Sequence, residues 1–172
     1  MSQISAHVEL AKAAVECCVR EGYTIAVPED APEGLLNTAA GAFVCLKKDG
    51  CLRGCIGTIE PTQECLAKEI ICNAIGAATR DPRFVPLEPS ELDDLEYSVD
   101  VLTPAEEIAS QSELDPARYG VIVENGMRRG LLLPDLEGVD TVEQQLDIAR
   151  RKACIECDEP IKLYRFEVIR YH

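Results

Sequence analysis

The sequence predicts an α+β fold, mainly antiparallel β-sheet packed with helices, on three observations. Stretches of period-two alternation are joined by Asp-Gly and Asn-Gly, turn residues that make hairpins rather than parallel crossovers. Between them lie segments with apolar residues at helical spacing and recognisable caps. The order of these segments lacks the regular strand, helix, strand alternation that builds a parallel sheet.

Ser5 is placed to cap a first helix running to about Glu21, with Leu10, Ala11, Ala14, Val15, Cys18 and Val19 on its apolar face and Gly22 as its stop. A loop rich in proline and acid follows, Pro28 to Gly34. Ala42 to Lys47 and Cys51 to Ile56 then flank Lys48-Asp49-Gly50, a hairpin signal. Pro61 and Thr62 open a second helix through about Ala78, ended by Arg80-Asp81-Pro82 because the residue before a proline is pushed out of the α region. Ser90 caps a short helix ending near Leu95, and Tyr97, Val99 and Val101 alternate with Ser98 and Asp100 as in a half-covered strand. Val121 to Glu124 and Met127 to Leu133 enclose Asn125-Gly126, a second hairpin. Thr141 and Gln144 make a capping box for a helix to about Ala153, and Ile161 to Tyr171 reads as one closing strand. No repeat or low-complexity tract divides the 172 residues, which are read as a single domain.

The chain carries 17 Lys and Arg against 31 Asp and Glu, a net charge of −14. So acidic a surface is poorly suited to neutralising nucleic-acid phosphates or settling on an anionic membrane, and neither partner is expected. Nine cysteines in a chain with no recognisable export leader or membrane span read as free thiols in a reducing, cytoplasmic setting.

The most informative stretch is Leu52-Arg53-Gly54-Cys55-Ile56-Gly57. On a regular strand, period two places Leu52, Gly54 and Ile56 on one face and Cys51, Arg53 and Cys55 on the other, so that a guanidinium and two thiols share a side. A neighbouring cation favours thiolate, the nucleophilic form of cysteine. Gly54 and Gly57 let a ligand or another backbone come close, or mark a bulge. The opposing reading is a buried, inert Cys55 and an Arg53 paired with one of the many carboxylates.

The hexapeptide Leu52 to Gly57, with Gly41-Ala42-Phe43-Val44 before it and Arg80-Asp81-Pro82-Arg83-Phe84 after it, resembles the AMMECR-type domain family. Leu132-Leu133-Pro134 and Lys162 to Glu167 resemble its later segments, so the likeness covers nearly the whole chain. The resemblance implies two unequal lobes, the larger from both chain ends and the smaller from the middle of the chain, with the hexapeptide facing a cleft between them. It makes Cys55 the candidate catalytic thiol and Arg53 its electrostatic neighbour. Arg80, Asp81 and Arg83, with Gly54 and Gly57, become a candidate substrate-binding cluster for an anionic or carboxylate group, which guanidinium forks match in shape. Bacterial and archaeal members are similar to the first component of a three-part system, making a Memo-like protein and a radical-SAM protein expected partners. One departure is visible: where the family pattern has a cysteine and then Lys-Ala-Gly, this chain keeps Lys152-Ala153, lacks the earlier cysteine and puts Cys154 at the glycine.

No metal or cofactor is expected. Cys154 and Cys157 form a CxxC without a second ligand pair. Cys51 and Cys55 stand about 13 Å apart along a straight strand, and Cys65 and Cys72 about 10 Å apart along a helix. His7 and His172 lie near the termini, and no Gly-x-Ser-x-Gly or Gly-x-Gly-x-x-Gly occurs. Two functional readings follow: an enzyme or enzyme-system subunit using Cys55 on a small or peptide-borne substrate, or a non-catalytic binding module that docks a partner protein or metabolite. The reactivity of Cys55 discriminates them.

Overall fold

A computed structural model describes residues 5–172. In chain order the elements are α1 (Ala6–Glu21), α2 (Glu33–Leu36), β1 (Ala42–Lys48), β2 (Cys51–Gly57), α3 (Leu66–Thr79), β3 (Leu95–Leu102), β4 (Glu106–Ile108), β5 (Gly120–Asn125), β6 (Arg128–Leu132), α4 (Val142–Ala153), β7 (Lys162–Phe166) and β8 (Val168–Tyr171). Short 3₁₀ turns cover Pro89–Asp94 and Gln111–Glu113. The fold is α+β with two four-stranded antiparallel sheets, ordered β2-β1-β3-β8 and β4-β7-β5-β6. The chain divides into two compact units, one running to Val101 and including Ile169–His172, the other Leu102–Val168.

In the first unit, Val44 and Leu46 of β1 and Val99 of β3 are fully buried with Ala11 and Val15 of α1 and Ile70 and Ala74 of α3. Period two therefore leaves Phe43, Cys45 and Lys47 on the face turned away from these helices. The second unit has its own core, where Val121, Val123 and Leu132 meet Leu146, Ala149 and Ala153 of α4. No helix among the described residues is long and apolar enough to cross a membrane.

Local signals account for many boundaries. The Ser5 hydroxyl accepts from the Val8 N–H, and Gly22 closes α1 at φ 76°. Thr141 and Gln144 cap α4 reciprocally. Cys154 ends that helix at φ 55°, the left-handed conformation in which a glycine is at home, so the departure at this position places a side chain where it costs backbone strain.

Four boundaries differ from expectation. The short helix is the 3₁₀ turn Pro89–Asp94, capped by Glu88 with Glu91 and not by Ser90. The second helix begins at Leu66, not at Pro61 and Thr62, because the Glu69 carboxylate accepts from the Thr62 and Gln63 N–H groups and holds that segment as a loop. The second hairpin turns on Gly126-Met127, since Asn125 pairs with Arg128; Gly126 alone takes positive φ, as the first central residue of a II′ turn must. The closing strand is two strands in two sheets. Glu167, between them, pairs with Thr103: its N–H donates to the Thr103 hydroxyl and its carbonyl accepts from the Thr103 N–H.

Candidate functional site: a thiol pair on the first hairpin

The β1–β2 hairpin turns on Asp49 and Gly50, both at positive φ, and begins in simple register with Lys48 opposite Cys51 and Lys47 opposite Leu52. The next pair is Leu46 with Gly54. Arg53 is thus the extra residue of a β-bulge, and every later pair is shifted by one. The shift brings Cys45 directly opposite Cys55. It also breaks the expected alternation: Leu52 shares the face of Lys47, and Cys51, opposite Lys48, lies on the other. Cys51 and Cys55 therefore do not share a side. The thiol beside Cys55 is Cys45, which the strand pattern did not single out.

The pair is held from the outer edge of β2. The Cys55 N–H donates to the Asp81 carboxylate (2.9 Å), and Arg83 Nη2 donates to the Cys55 carbonyl (3.3 Å). Asp81 is buried and is gripped by Arg83 through Nε and Nη2 at 3.0 and 2.7 Å and through the Arg83 N–H at 3.1 Å. These bonds, led by that from the guanidinium, hold its carboxyl far below the usual carboxylate range against the opposing effect of burial. Because the Cys55 backbone bonds outward, Cys45 and Cys55 are a non-hydrogen-bonded pair, the kind whose side chains stand closest.

Both thiols are half-buried, and each acts on the other's proton affinity. Cys45 is drawn below the ordinary thiol range, chiefly by the neighbouring Cys55; burial and Asp100 oppose this, while Lys47 and Arg170 assist. Cys55 is pushed far up, first by the neighbouring Cys45, then by burial and by the charge a second thiolate would meet, with only Arg83 among its principal neighbours acting against this.

The remaining expected site residues scatter. Arg53 does not reach out to the thiols: Nε and Nη2 each donate to the Glu91 carboxylate at 2.9 Å, and Nη1 donates to the Val85 carbonyl at 3.0 Å. This pairing holds the Glu91 carboxyl at about 2. Arg80 caps α3 and donates to the Cys72 carbonyl. Gly54 faces α3, where the added methyl of an alanine would meet the Ala77 carbonyl oxygen. Gly57 lies under the Phe43 ring. Of the expected cluster, Asp81 and Arg83 alone join Cys55. Glu69, also not anticipated, anchors the loop after β2 from α3 and is visible only through tertiary contacts.

Arg53→Ala is expected to cost about 2 kcal/mol, because it strands a carboxylate that loses two charged hydrogen bonds. It should also return the Glu91 carboxyl toward its ordinary value; carbon-detected NMR titration of Glu91 with urea unfolding checks both. An unchanged Glu91 titration would mean that Lys48 and the Glu88 N–H suffice to hold it.

Among the described residues no three His, Cys, Asp or Glu side chains gather into a group able to hold a metal ion. Cys154 and Cys157 are exposed, beyond α4.

Comparison with known proteins bears on the fold and the family. A protein from Thermotoga maritima is 57% identical over 167 residues, covering 96% of each chain. One from Clostridium acetobutylicum is 47% identical over 166 residues, 96% of this chain but 35% of that longer protein. The crystal structure of an uncharacterised protein from Pyrococcus horikoshii superposes with a TM-score of 0.88 at 35% identity, covering 95% of this chain and 88% of that one. The AMMECR1 family model matches residues 8–171, and the chain belongs to the AMMECR1 family.

Proposed function

We propose that this AMMECR1 protein is a cytoplasmic enzyme, or a subunit of an enzyme system, that uses a thiol of the Cys45–Cys55 pair on a small or peptide-borne substrate with an anionic group. The observation that carries the reading is the register that sets the two thiols opposite each other beside Arg83. Cys45 takes the part of the thiolate and Cys55 that of its hydrogen-bond donor, since one shared proton is easier to keep than two charges side by side. Arg83 is half-exposed, and its Nη1 has no bond to another group among the described residues, which leaves a donor for a carboxylate or phosphate. Asp81 orients that guanidinium. A Memo-like protein and a radical-SAM protein are proposed partners on family grounds.

A second reading, a binding module, draws on the internal pairing of Arg53 with Glu91 and of Asp81 with Arg83, which spends most of the site's charge on the fold. The pH dependence of iodoacetamide alkylation, followed residue by residue with mass spectrometry, separates the two. Cys45 is expected to react with an apparent pKa below the free-thiol value of about 8.5, while Cys55 stays protonated. Cys55→Ala should move Cys45 back up. If both thiols are protected until unfolding, or if Cys45 titrates like exposed Cys51, the enzyme reading fails and the binding module stands.

A further inference from the structure

We propose that Cys45 and Cys55 form a reversible dithiol–disulfide couple across the first hairpin, exchanging with a low-molecular-weight, carboxylate-bearing disulfide. Cys45 is the attacking thiol and Cys55 the resolving one. The inference uses the same thiols as the proposed enzyme but not its substrate, and its failure can be told apart from the failure of that reading.

Position carries the argument. The Cα atoms of a non-hydrogen-bonded antiparallel pair stand about 4.5 Å apart, inside the roughly 4.4–6.8 Å window that a disulfide spans. The backbone at Cys55 is fixed from outside by Asp81 and Arg83, and Cys45 lies on a strand hydrogen-bonded on both sides, so the separation is held rather than sampled. The other seven cysteines lack this placement. Cys51 is on the opposite face of the hairpin. Cys17 and Cys18 are adjacent in α1, and Cys65 and Cys72 lie at the start and middle of α3. Cys154 and Cys157 sit in an exposed turn. Half-burial admits a small disulfide while shielding the pair from larger ones, and the half-exposed Arg83 favours one that carries carboxylates.

The exchange balances without a further reagent. The Cys45 thiolate attacks one sulfur of the small disulfide, forming a mixed disulfide and expelling the first small thiolate. Cys55 gives its proton to that departing thiolate. Its sulfur then attacks Cys45 Sγ, closing the Cys45–Cys55 bond and expelling the second small thiolate, which takes the proton that Cys45 had released to solvent. The protein loses two electrons and two protons, and one disulfide becomes two thiols. Closure removes the thiolate, so the oxidised form is also the inactive form of the proposed enzyme.

The test uses the full-length reduced protein, equilibrated with glutathione disulfide and glutathione at graded ratios, quenched by alkylation and digested with trypsin. Cleavage after Lys47 and Arg53 puts Cys45 and Cys55 on separate peptides, the second also carrying Cys65, so a bond appears as a linked species lost on reduction and fragmentation of that species places it at Cys55 or Cys65. That species is expected to rise as the ratio becomes more oxidising. In Cys55→Ser, glutathione should accumulate on Cys45, held as the mixed disulfide that Cys55 would otherwise resolve. The couple is overturned if Cys45 and Cys55 stay unlinked while Cys51, Cys154 and Cys157 take up glutathione, or if either bonds to a different cysteine. The wild-type linkage needs no variant to fold. A low Cys45 pKa without the linked peptide sinks the couple alone, and the linked peptide with an ordinary Cys45 pKa sinks the enzyme reading alone.

Discussion

Gly54→Ala is expected to lower stability by about 3 kcal/mol, near the upper end of what overpacking costs. The new methyl carbon would sit 2.2 Å from the Ala77 carbonyl oxygen and 3.1 Å from its carbonyl carbon. Both are backbone atoms in the last turn of α3, so the strain cannot be relieved by a rotamer change. Either α3 lifts from the sheet or β2 bends away, and the hairpin loses its seat in both cases. Gly57→Ala meets the Phe43 ring instead, at 2.1 Å, and a half-buried side chain can swing aside. Its loss should be smaller. Gly34→Ala, with nothing within 4 Å of the added carbon, is the control. Urea unfolding of the three variants checks the ranking; equal losses at Gly54 and Gly57 would mean that α3 yields as easily as a side chain.

Glu69→Ala is expected to cost about 3 kcal/mol or more, since several donors lose a charged acceptor at once. The carboxylate is 1% exposed and accepts from the Thr58 hydroxyl at 2.7 Å, the Thr62 hydroxyl at 2.8 Å, and the N–H groups of Thr62 and Gln63 at 2.7 and 2.8 Å. Glu69→Gln should recover part of the loss: its oxygen can keep the two backbone donors, while its amide donates to hydroxyls that turn to accept. Burial pushes the Glu69 carboxyl up, but these bonds outweigh it and the net shift is downward. A folded-state pKa below the unfolded value means that the contribution is complete above the unfolded value of about 4.5 and is lost as pH falls below it, through the folded value. The wild type should therefore lose stability below about pH 4.5 more steeply than Glu69→Gln does. Parallel acid profiles would show that the carboxylate charge contributes nothing at this site.

Where a boundary depends on neighbours in sequence, it was legible. Ser5, Gly22, Thr141 and Gln144 act within one helical turn, and Asp49-Gly50 acts within one hairpin turn, so local chemistry decides each of them. The start of α3 was not legible, because Glu69 reaches back to Thr62 and Gln63 and converts a plausible first turn into an anchored loop. The bulge at Arg53 was invisible for a related reason. One extra residue reverses the facing of all that precedes it on the strand, and nothing in Leu52-Arg53-Gly54 announces it until Gly54 is seen seated on α3. Cys45 was missed with it, since a hairpin without the bulge would have paired it with Gly54. The split of the last strand was hidden because alternation continues through Glu167 while the hydrogen-bond partners change.

The closure of the β2 edge by Asp81 and Arg83 also limits how any visitor can dock. β2 is the outermost strand of its sheet, and at Cys55 its N–H and C=O are the groups that an added strand would use. With both taken by side chains, and the bulge kinking the strand beside them, an extended peptide or a second copy of the chain has no ladder to extend there. Recognition near the thiols must then come from above the sheet, through side chains and charge, rather than by lengthening it.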